Sequence, residues 1–245
     1  MQIWGESMIL SENWVASIDD HAGHSFTVPA TVPGCIHTDL QRAGILPDLF
    51  YRDNSKLCQW VENCDVTYTC TFTLQKTEPD MWFNFRGIDV YCSVFCNGIH
   101  LGDTDDMHIP WLFSAKQSLR AGKNVLVVRF RSPIKETLGM PKRSGAFTCE
   151  RMWTRRIQCS YGWDWVDRFV TMGLWREVSL EVRKPDTFVY ENESIYIYTN
   201  ELTPYAAQVA VELNFAEITG SAWVSMQLTD PDGNVIWNKR RRILQ

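Results

Sequence analysis

Val66-Thr-Tyr-Thr-Cys-Thr-Phe-Thr-Leu74 alternates without a break: Val66, Tyr68, Cys70, Phe72 and Leu74 fall on one side and four threonines on the other. Successive side chains of a strand point to opposite faces, so this stretch predicts a strand with one face in a core and the other in water, as in antiparallel sheets. Working outward, Val90–Cys96 is apolar on both faces and reads as a strand buried on both sides. Asn97-Gly98 tolerates positive φ and predicts a hairpin turn, from which Ile99-His100-Leu101 returns. Gly122-Lys123-Asn124 leads into a strand over Val125–Arg131, which Pro133, lacking an N–H, brings to an end. Helical pattern is scarce; Thr38–Ala43, with Thr38 as N-cap and Gly44 as stop, predicts one short helix. Short strands parted by turn residues, with few helices, predict an all-β sandwich.

The chain has 245 residues, enough for one large or two modest domains. Twenty-four Lys and Arg against 29 Asp and Glu give a net charge of −5, which argues against a partner held through phosphates. Hydrophobic residues make up 45% and charged residues 22%, ordinary globular usage that excludes disordered and fibrous classes. No apolar run approaches the roughly 18 residues needed to span a bilayer, so no membrane partner is expected. Met1-Gln-Ile-Trp-Gly-Glu6 has neither a basic segment nor an apolar run, so no signal peptide is read; the compartment stays open. The eight Cys include no Cys-x-x-Cys pair, so no structural zinc site is expected. Cys92 and Cys96 on one strand would stand about 13 Å apart, too far to bridge, and most of the cysteines are expected as buried free thiols.

Composition shifts near Lys184-Pro185-Asp186, which predicts a boundary between a domain over 1–185 and a second over 186–245. In the second, Ile195–Tyr198, Ala207–Phe215 and Ala222–Leu228 alternate again, and Asp230-Pro-Asp-Gly233 turns into Val235–Trp237. About 60 residues is short for an immunoglobulin-like sandwich of about 100, so this module reads as the opening part of one. Its last strands, Ala222–Trp237, are expected to lack partners and to expose a sheet edge that invites self-association. Lys239–Arg242 reads as a solvated strand end rather than a nucleic-acid or targeting patch.

Three stretches together carry a family resemblance. The first is Val32-Pro-Gly-Cys-Ile-His-Thr-Asp-Leu40 with Gly44–Asn54 and Trp60-Val-Glu62. The second is Phe85-Arg-Gly-Ile-Asp89 with Val94–Gly98, Ile109-Pro-Trp111 and Arg129–Pro133. The third is Arg155-Arg-Ile-Gln-Cys-Ser-Tyr-Gly-Trp-Asp-Trp165, running to Gly173-Leu-Trp-Arg176. In order and spacing, residues 8–185 resemble the N-terminal sugar-binding domain of glycoside hydrolase family 2, and within it the β-mannosidase branch. The resemblance implies a jelly-roll-like, galactose-binding-like β-sandwich followed by the start of an immunoglobulin-like one. It also implies a later (β/α)8 barrel that supplies both catalytic glutamates, with no metal or other cofactor. Nothing after Gln245 is present to build that barrel, so no catalytic residue is assigned here and the chain alone is expected to be inactive.

The implied parent reaction is release of a terminal β-mannosyl unit with retention. The partners would be an oligosaccharide and the chain's own barrel. The family's Asp at the position of Asp164 reaches the hydroxyls of the terminal sugar, with Trp163 beside it. Val166-Asp167-Arg168 stands where relatives commonly carry Gly-Pro-Arg, which leaves the sugar open. Alternatives are a free-standing carbohydrate-binding module, or part of a related exo-glucosaminidase or β-galactosidase-like enzyme.

The residues themselves allow simpler readings. Asp164 could cap a turn, Trp163 could plug the core, and Trp165 is assigned to the core. An ionised Asp suits vicinal hydroxyls because it accepts two charge-assisted hydrogen bonds. His37 is read as a structural His bonded to a loop carbonyl, and His21 and His24 as loop residues. Cys35 has no local base to make it a nucleophile. Asp103, Asp105 and Asp106 read as a solvated turn rather than a calcium loop. No two of the 29 acidic residues sit in a context that would hold a catalytic pair about 5–5.5 Å apart.

Overall fold

The computed structural model describes residues 7–19, 25–142, 147–182, 195–213 and 222–243. The chain divides into two compact units, Met1–Arg183 and Lys184–Gln245. The predicted boundary at Lys184–Asp186, together with His21, His24 and Asn214-Phe215, lies outside the described residues.

Unit 1 holds ten strands: β1 (Ser7–Ile9), β2 (Trp14–Asp19), β3 (Ser25–Pro29), β4 (Val66–Leu74), β5 (Met81–Phe85), β6 (Cys92–Cys96), β7 (Ile99–Thr104), β8 (Trp111–Ser114), β9 (Gly122–Phe130) and β10 (Val178–Val182). Three short helices join them: α1 (Ile36–Arg42), α2 (Asn54–Cys58) and α3 (Pro133–Glu136). The strands form a six-stranded sheet, β3-β2-β4-β9-β6-β7, and a four-stranded sheet, β1-β10-β5-β8, antiparallel throughout.

The strand quoted first is the spine of the larger sheet. It pairs with β9 from Val66 opposite Phe130 to Leu74 opposite Gly122, and its five apolar residues are buried. The smaller sheet answers with Phe83, Phe85, Phe113, Val178 and Leu180, and Phe72 meets Phe83 edge-on at 6.2 Å between centroids. The core therefore lies between the two sheets, and the all-β sandwich expected from the alternation is what forms.

Two local expectations change and a third holds. The strand after Val90 is not buried on both faces: Cys92, Val94 and Cys96 point into the core, whereas Ser93 and Phe95 are half-buried on the other side. Arg129 covers the Phe95 ring at 4.9 Å, so an aromatic there needs no core. The helix starts at Ile36 with Cys35 before it, because Gly34 and Ile36 donate backbone N–H bonds to Leu174 and Met172 and fix that entry. Thr38 lies inside the first turn, and its hydroxyl donates to the Cys35 carbonyl at 2.8 Å. The hairpin at Asn97-Gly98 has φ of 50° and 85°, and the Asn97 side chain locks it to Ser118, Asn124 and Val125.

All eight cysteines are free thiols, and Cys58, Cys64, Cys70, Cys92 and Cys96 are buried. Burial pushes Cys70 and Cys92 up to about 12. Among the described residues no helix is long and apolar enough to cross a bilayer, and no group of three metal-binding side chains converges.

The described residues of unit 2 form two hairpins, β11 (Ile195–Leu202) with β12 (Ala207–Leu213), and β13 (Ala222–Thr229) with β14 (Val235–Ile243). None of its described residues is buried. Lys239–Arg242 forms the exposed end of β14, as expected, with Arg240 opposite Ser225 and its guanidinium 4.7 Å over the Trp223 ring.

Candidate functional site

The three stretches that carry the family resemblance meet in unit 1. Glu62 from the first pairs with Arg168, and Asp89 from the second pairs with Arg156 of the third. Their meeting place supports one exposed loop.

That loop is a narrow hairpin. A 3-10 turn over Gln158–Tyr161 ends at Gly162, whose φ of 88° suits glycine. Phe169 N–H donates to Ser160 O at 2.9 Å, and Trp163 N–H donates to Val166 O at 3.0 Å, which leaves Asp164 and Trp165 at the tip. The result places the predicted site residues plainly. Trp163 is 44% exposed and Trp165 63%, so Trp165 is not a core residue as expected. Alternating aromatics in a loop resemble core plugs in sequence, and only the hairpin geometry turns them outward. Asp164 is exposed and, among the described residues, makes no hydrogen bond or ion pair; it caps nothing. Trp163 packs against Trp165 at 5.7 Å and against the exposed Phe147 at 5.1 Å, so three rings surround the free carboxylate's loop.

The support beneath is charged and mostly buried. Arg151 donates through Nη2 to the Tyr161 and Gly162 carbonyls at 3.2 and 2.7 Å, and its guanidinium lies 5.2 Å over Trp163 and 5.3 Å over Phe147. Arg168 forks onto Glu62, with Nε 2.9 Å from Oε2 and Nη2 2.9 Å from Oε1, and reaches Glu150 Oε1 through Nη1 at 2.7 Å. Burial alone would raise the Glu150 carboxyl, but its backbone hydrogen bond and Arg168 outweigh it and hold it below its ordinary value. Arg156, fully buried, donates to Asp89 Oδ2 at 2.8 Å and to Thr171 at 3.0 Å, and stacks over Tyr161 at 5.3 Å. Sequence reasoning missed these supports, since Glu62 and Arg168 stand 106 positions apart and no local pattern links them.

The remaining candidates do not join the site. His37 is buried edge-on to Phe169 at 5.7 Å, and its Nδ1 has no partner among the described residues, so the expected carbonyl bond is not made there. Burial, with Arg156 nearby, pushes its pKa down to about 4. Burial raises the Cys35 thiol, the wrong direction for a nucleophile. Asp103 lies beside Ser93 and His100 while Asp106 binds Arg155, so the acidic run disperses among separate partners. What the site offers is an exposed aromatic rim with one unengaged carboxylate.

Residues 14–176 match the family described as Glycosyl hydrolase 2 galactose-binding domain-like. The β-mannosidase of Bos taurus is 32% identical over 193 residues, covering 71% of this chain and 21% of that protein. The β-mannosidase B of Thermothelomyces thermophilus is 29% identical over 182 residues, with the same shares of 71% and 21%. Among solved structures, a β-D-mannosidase from Dictyoglomus thermophilum superposes with a TM-score of 0.72 at 28% identity, over 97% of this chain and 29% of that one. The chain thus spans about a fifth of the length of the curated relatives it matches.

Proposed function

The chain belongs to the glycosyl hydrolase 2 galactose-binding domain-like family, and from that membership we propose that it serves as the N-terminal, non-catalytic region of a retaining glycoside hydrolase that removes terminal β-mannosyl residues. In this reading residues 1–185 form the sugar-binding domain and residues 186–245 open an immunoglobulin-like domain. The chain packs on its own C-terminal (β/α)8 barrel, which holds both catalytic carboxyls, and Asp164 and Trp163 form one wall of the terminal-sugar subsite. The uncovered edges of unit 2 would let the chain self-associate when that barrel is lacking.

The observation that carries the proposal is the state of Asp164: an exposed carboxylate without a partner among the described residues, set between two exposed Trp on a loop braced by half-buried ion pairs. Structural Asp residues in loops ordinarily cap a turn or pair with a neighbour, and this one does neither. A carboxylate kept free on a braced loop is ready to accept from sugar hydroxyls, with Trp163 offering an apolar edge to the ring.

The test is aryl β-mannoside hydrolysis by the full-length protein. Asp164→Asn should lower kcat/KM about 100-fold or more, because the hydroxyls it orients lose a charged acceptor in a closed pocket, while the melting temperature stays within error. Unchanged kcat/KM would remove Asp164 from the subsite. Faster turnover of an aryl β-glucosaminide or β-galactoside would move the assignment to those related enzymes. The second reading, a free-standing carbohydrate-binding module, draws on the same exposed rings of Trp163, Trp165 and Phe147; it requires saccharide affinity from the 245-residue chain by itself.

A further inference from the structure

Among the described residues of unit 1, the most exposed aromatic side chain belongs neither to the core nor to the Trp163 loop. Phe50 is 81% exposed, and Tyr51 beside it is 56% exposed.

The turn that carries them has a fixed shape. Asp48 Oδ1 accepts from Phe50 N–H at 3.1 Å, and the Asp48 carbonyl accepts from Tyr51 N–H at 3.3 Å and from Asn54 Nδ2 at 2.7 Å. Asn54 N–H returns to Tyr51 O at 3.1 Å. Arg52 takes a left-handed φ of 50°, which a residue with a Cβ adopts at a cost, and its guanidinium lies 5.2 Å from the Tyr51 ring centroid. A turn tied in this way holds two large rings out in water.

This turn and the Trp163 hairpin stand on one base. The Phe50 ring meets Phe169 edge-on at 5.8 Å, and Phe169 N–H closes the hairpin on Ser160 O. Further along the Phe50 segment, Glu62 takes the fork of Arg168 from the hairpin. Two segments distant in sequence are thus braced on each other, and both present exposed rings: Phe50 and Tyr51 from one, Trp163 and Trp165 from the other. Single apolar side chains scattered over a surface need no explanation, whereas grouped rings on braced loops mark a contact surface.

The occupant follows from chain length and from Asp164. Most of the length of the β-mannosidase relatives lies outside the part that this chain matches. A subsite with Asp164 as one wall needs its opposite wall within reach of the same small ligand, and a body that near Asp164 also meets the Phe50 turn. Asp48 Oδ1 and its carbonyl are engaged inside the turn, so what the turn offers outward is ring surface, which suits apolar side chains of a protein.

We propose that Phe50 and Tyr51 anchor unit 1 on the C-terminal barrel of its own chain and that this contact holds Asp164 at the barrel's mouth. The inference rests on the reading of the chain as the N-terminal region of a longer hydrolase.

The test is hydroxyl-radical footprinting of the full-length protein beside the 245-residue chain, read by mass spectrometry at Phe50, Tyr51 and Trp165. In the full-length protein all three should be oxidised at least about 5-fold more slowly, because the centre of such a contact excludes water. Phe50→Ser in the full-length protein should return Trp165 toward its rate in the 245-residue chain and lower kcat/KM about 10-fold. Phe50→Leu, which keeps an apolar anchor, should retain most of the protection. The 245-residue chain carrying Phe50→Ser should melt within error of the unmodified chain, since the ring lies outside the core. Equal oxidation of Phe50 and Tyr51 in the two proteins would overturn the inference; if Asp164→Asn still lowers kcat/KM, the subsite reading survives it. Protection that grows with concentration in the 245-residue chain would assign the turn to a second copy and overturn the inference. Protection that arises only with methyl β-D-mannopyranoside would assign it to the sugar and overturn the inference as well. A native protein without a barrel would remove the reading and the inference together.

Discussion

Units 1 and 2 are written in the same period-two pattern, and among the described residues only unit 1 has a core. In unit 1, β4 and β9 bury every second side chain because the smaller sheet brings Phe83, Phe85 and Leu180 against them. In unit 2, β11 and β12 align Ile195, Ile197, Val209 and Val211 on one face, yet Ile197 is 64% exposed and Val209 56%. Alternation therefore specifies a strand with a face and leaves open whether a second layer covers it. A two-stranded hairpin is marginal by itself, and three or more strands or a packed layer are needed for independent stability.

The largest contrast should come from matched core truncations. Phe83→Ala should cost about 3–5 kcal/mol in urea unfolding followed by Trp fluorescence, whereas Ile197→Ala should stay within about 0.5 kcal/mol. Equal losses would mean that unit 2 has a covered face after all, and the comparison would break. Next in size, Arg168→Met leaves the Glu62 and Glu150 carboxylates without their shared partner, at about 3 kcal/mol. Near-zero cost there would show that the Trp163 loop does not rely on its buried support.

Acid should sharpen the same distinction, since unit 1 carries the buried His37. Its folded pKa of about 4 lies below the ordinary 6.5, so the unfolded chain takes up the proton first and stability falls as pH drops from 6.5 toward 4. The loss from this group should reach about 2–3 kcal/mol by pH 4. Burial raises the Asp39 and Asp89 carboxyls, which opposes the trend, so the quantity to measure is the wild-type profile minus that of His37→Gln. A difference that stays flat across this window would contradict a neutral buried His37. The smallest effect is association: light scattering of the 245-residue chain should show concentration-dependent oligomers that vanish when residues 184–245 are deleted. A strict monomer would mean that the edges of unit 2 are protected.

Which features were legible follows from the range of the interactions that make them. β4 and the Asn97-Gly98 turn rest on residues adjacent in sequence, and the alternation or the turn pair suffices to read them. α2 and α3 escape because they are five and four residues long, with no room for a helical period. The site was half legible. Asp164 and Trp163 stand out through the resemblance. The exposure of Trp165 depends on the hydrogen bonds that close the hairpin, and Arg151, Arg168 and Glu62 come together from distant stretches. His37 misleads because a buried imidazole packed on Phe169 and a bonded one look alike in sequence.

The claim that matters most is that this chain works as one part of a longer hydrolase, and the intact mass of the native protein in its source cells tests it most directly. The account predicts a chain several-fold longer than 245 residues, with a (β/α)8 barrel encoded past Gln245 in the same reading frame. A native mass equal to that of the 245-residue chain would contradict it and leave a binding module without catalytic machinery.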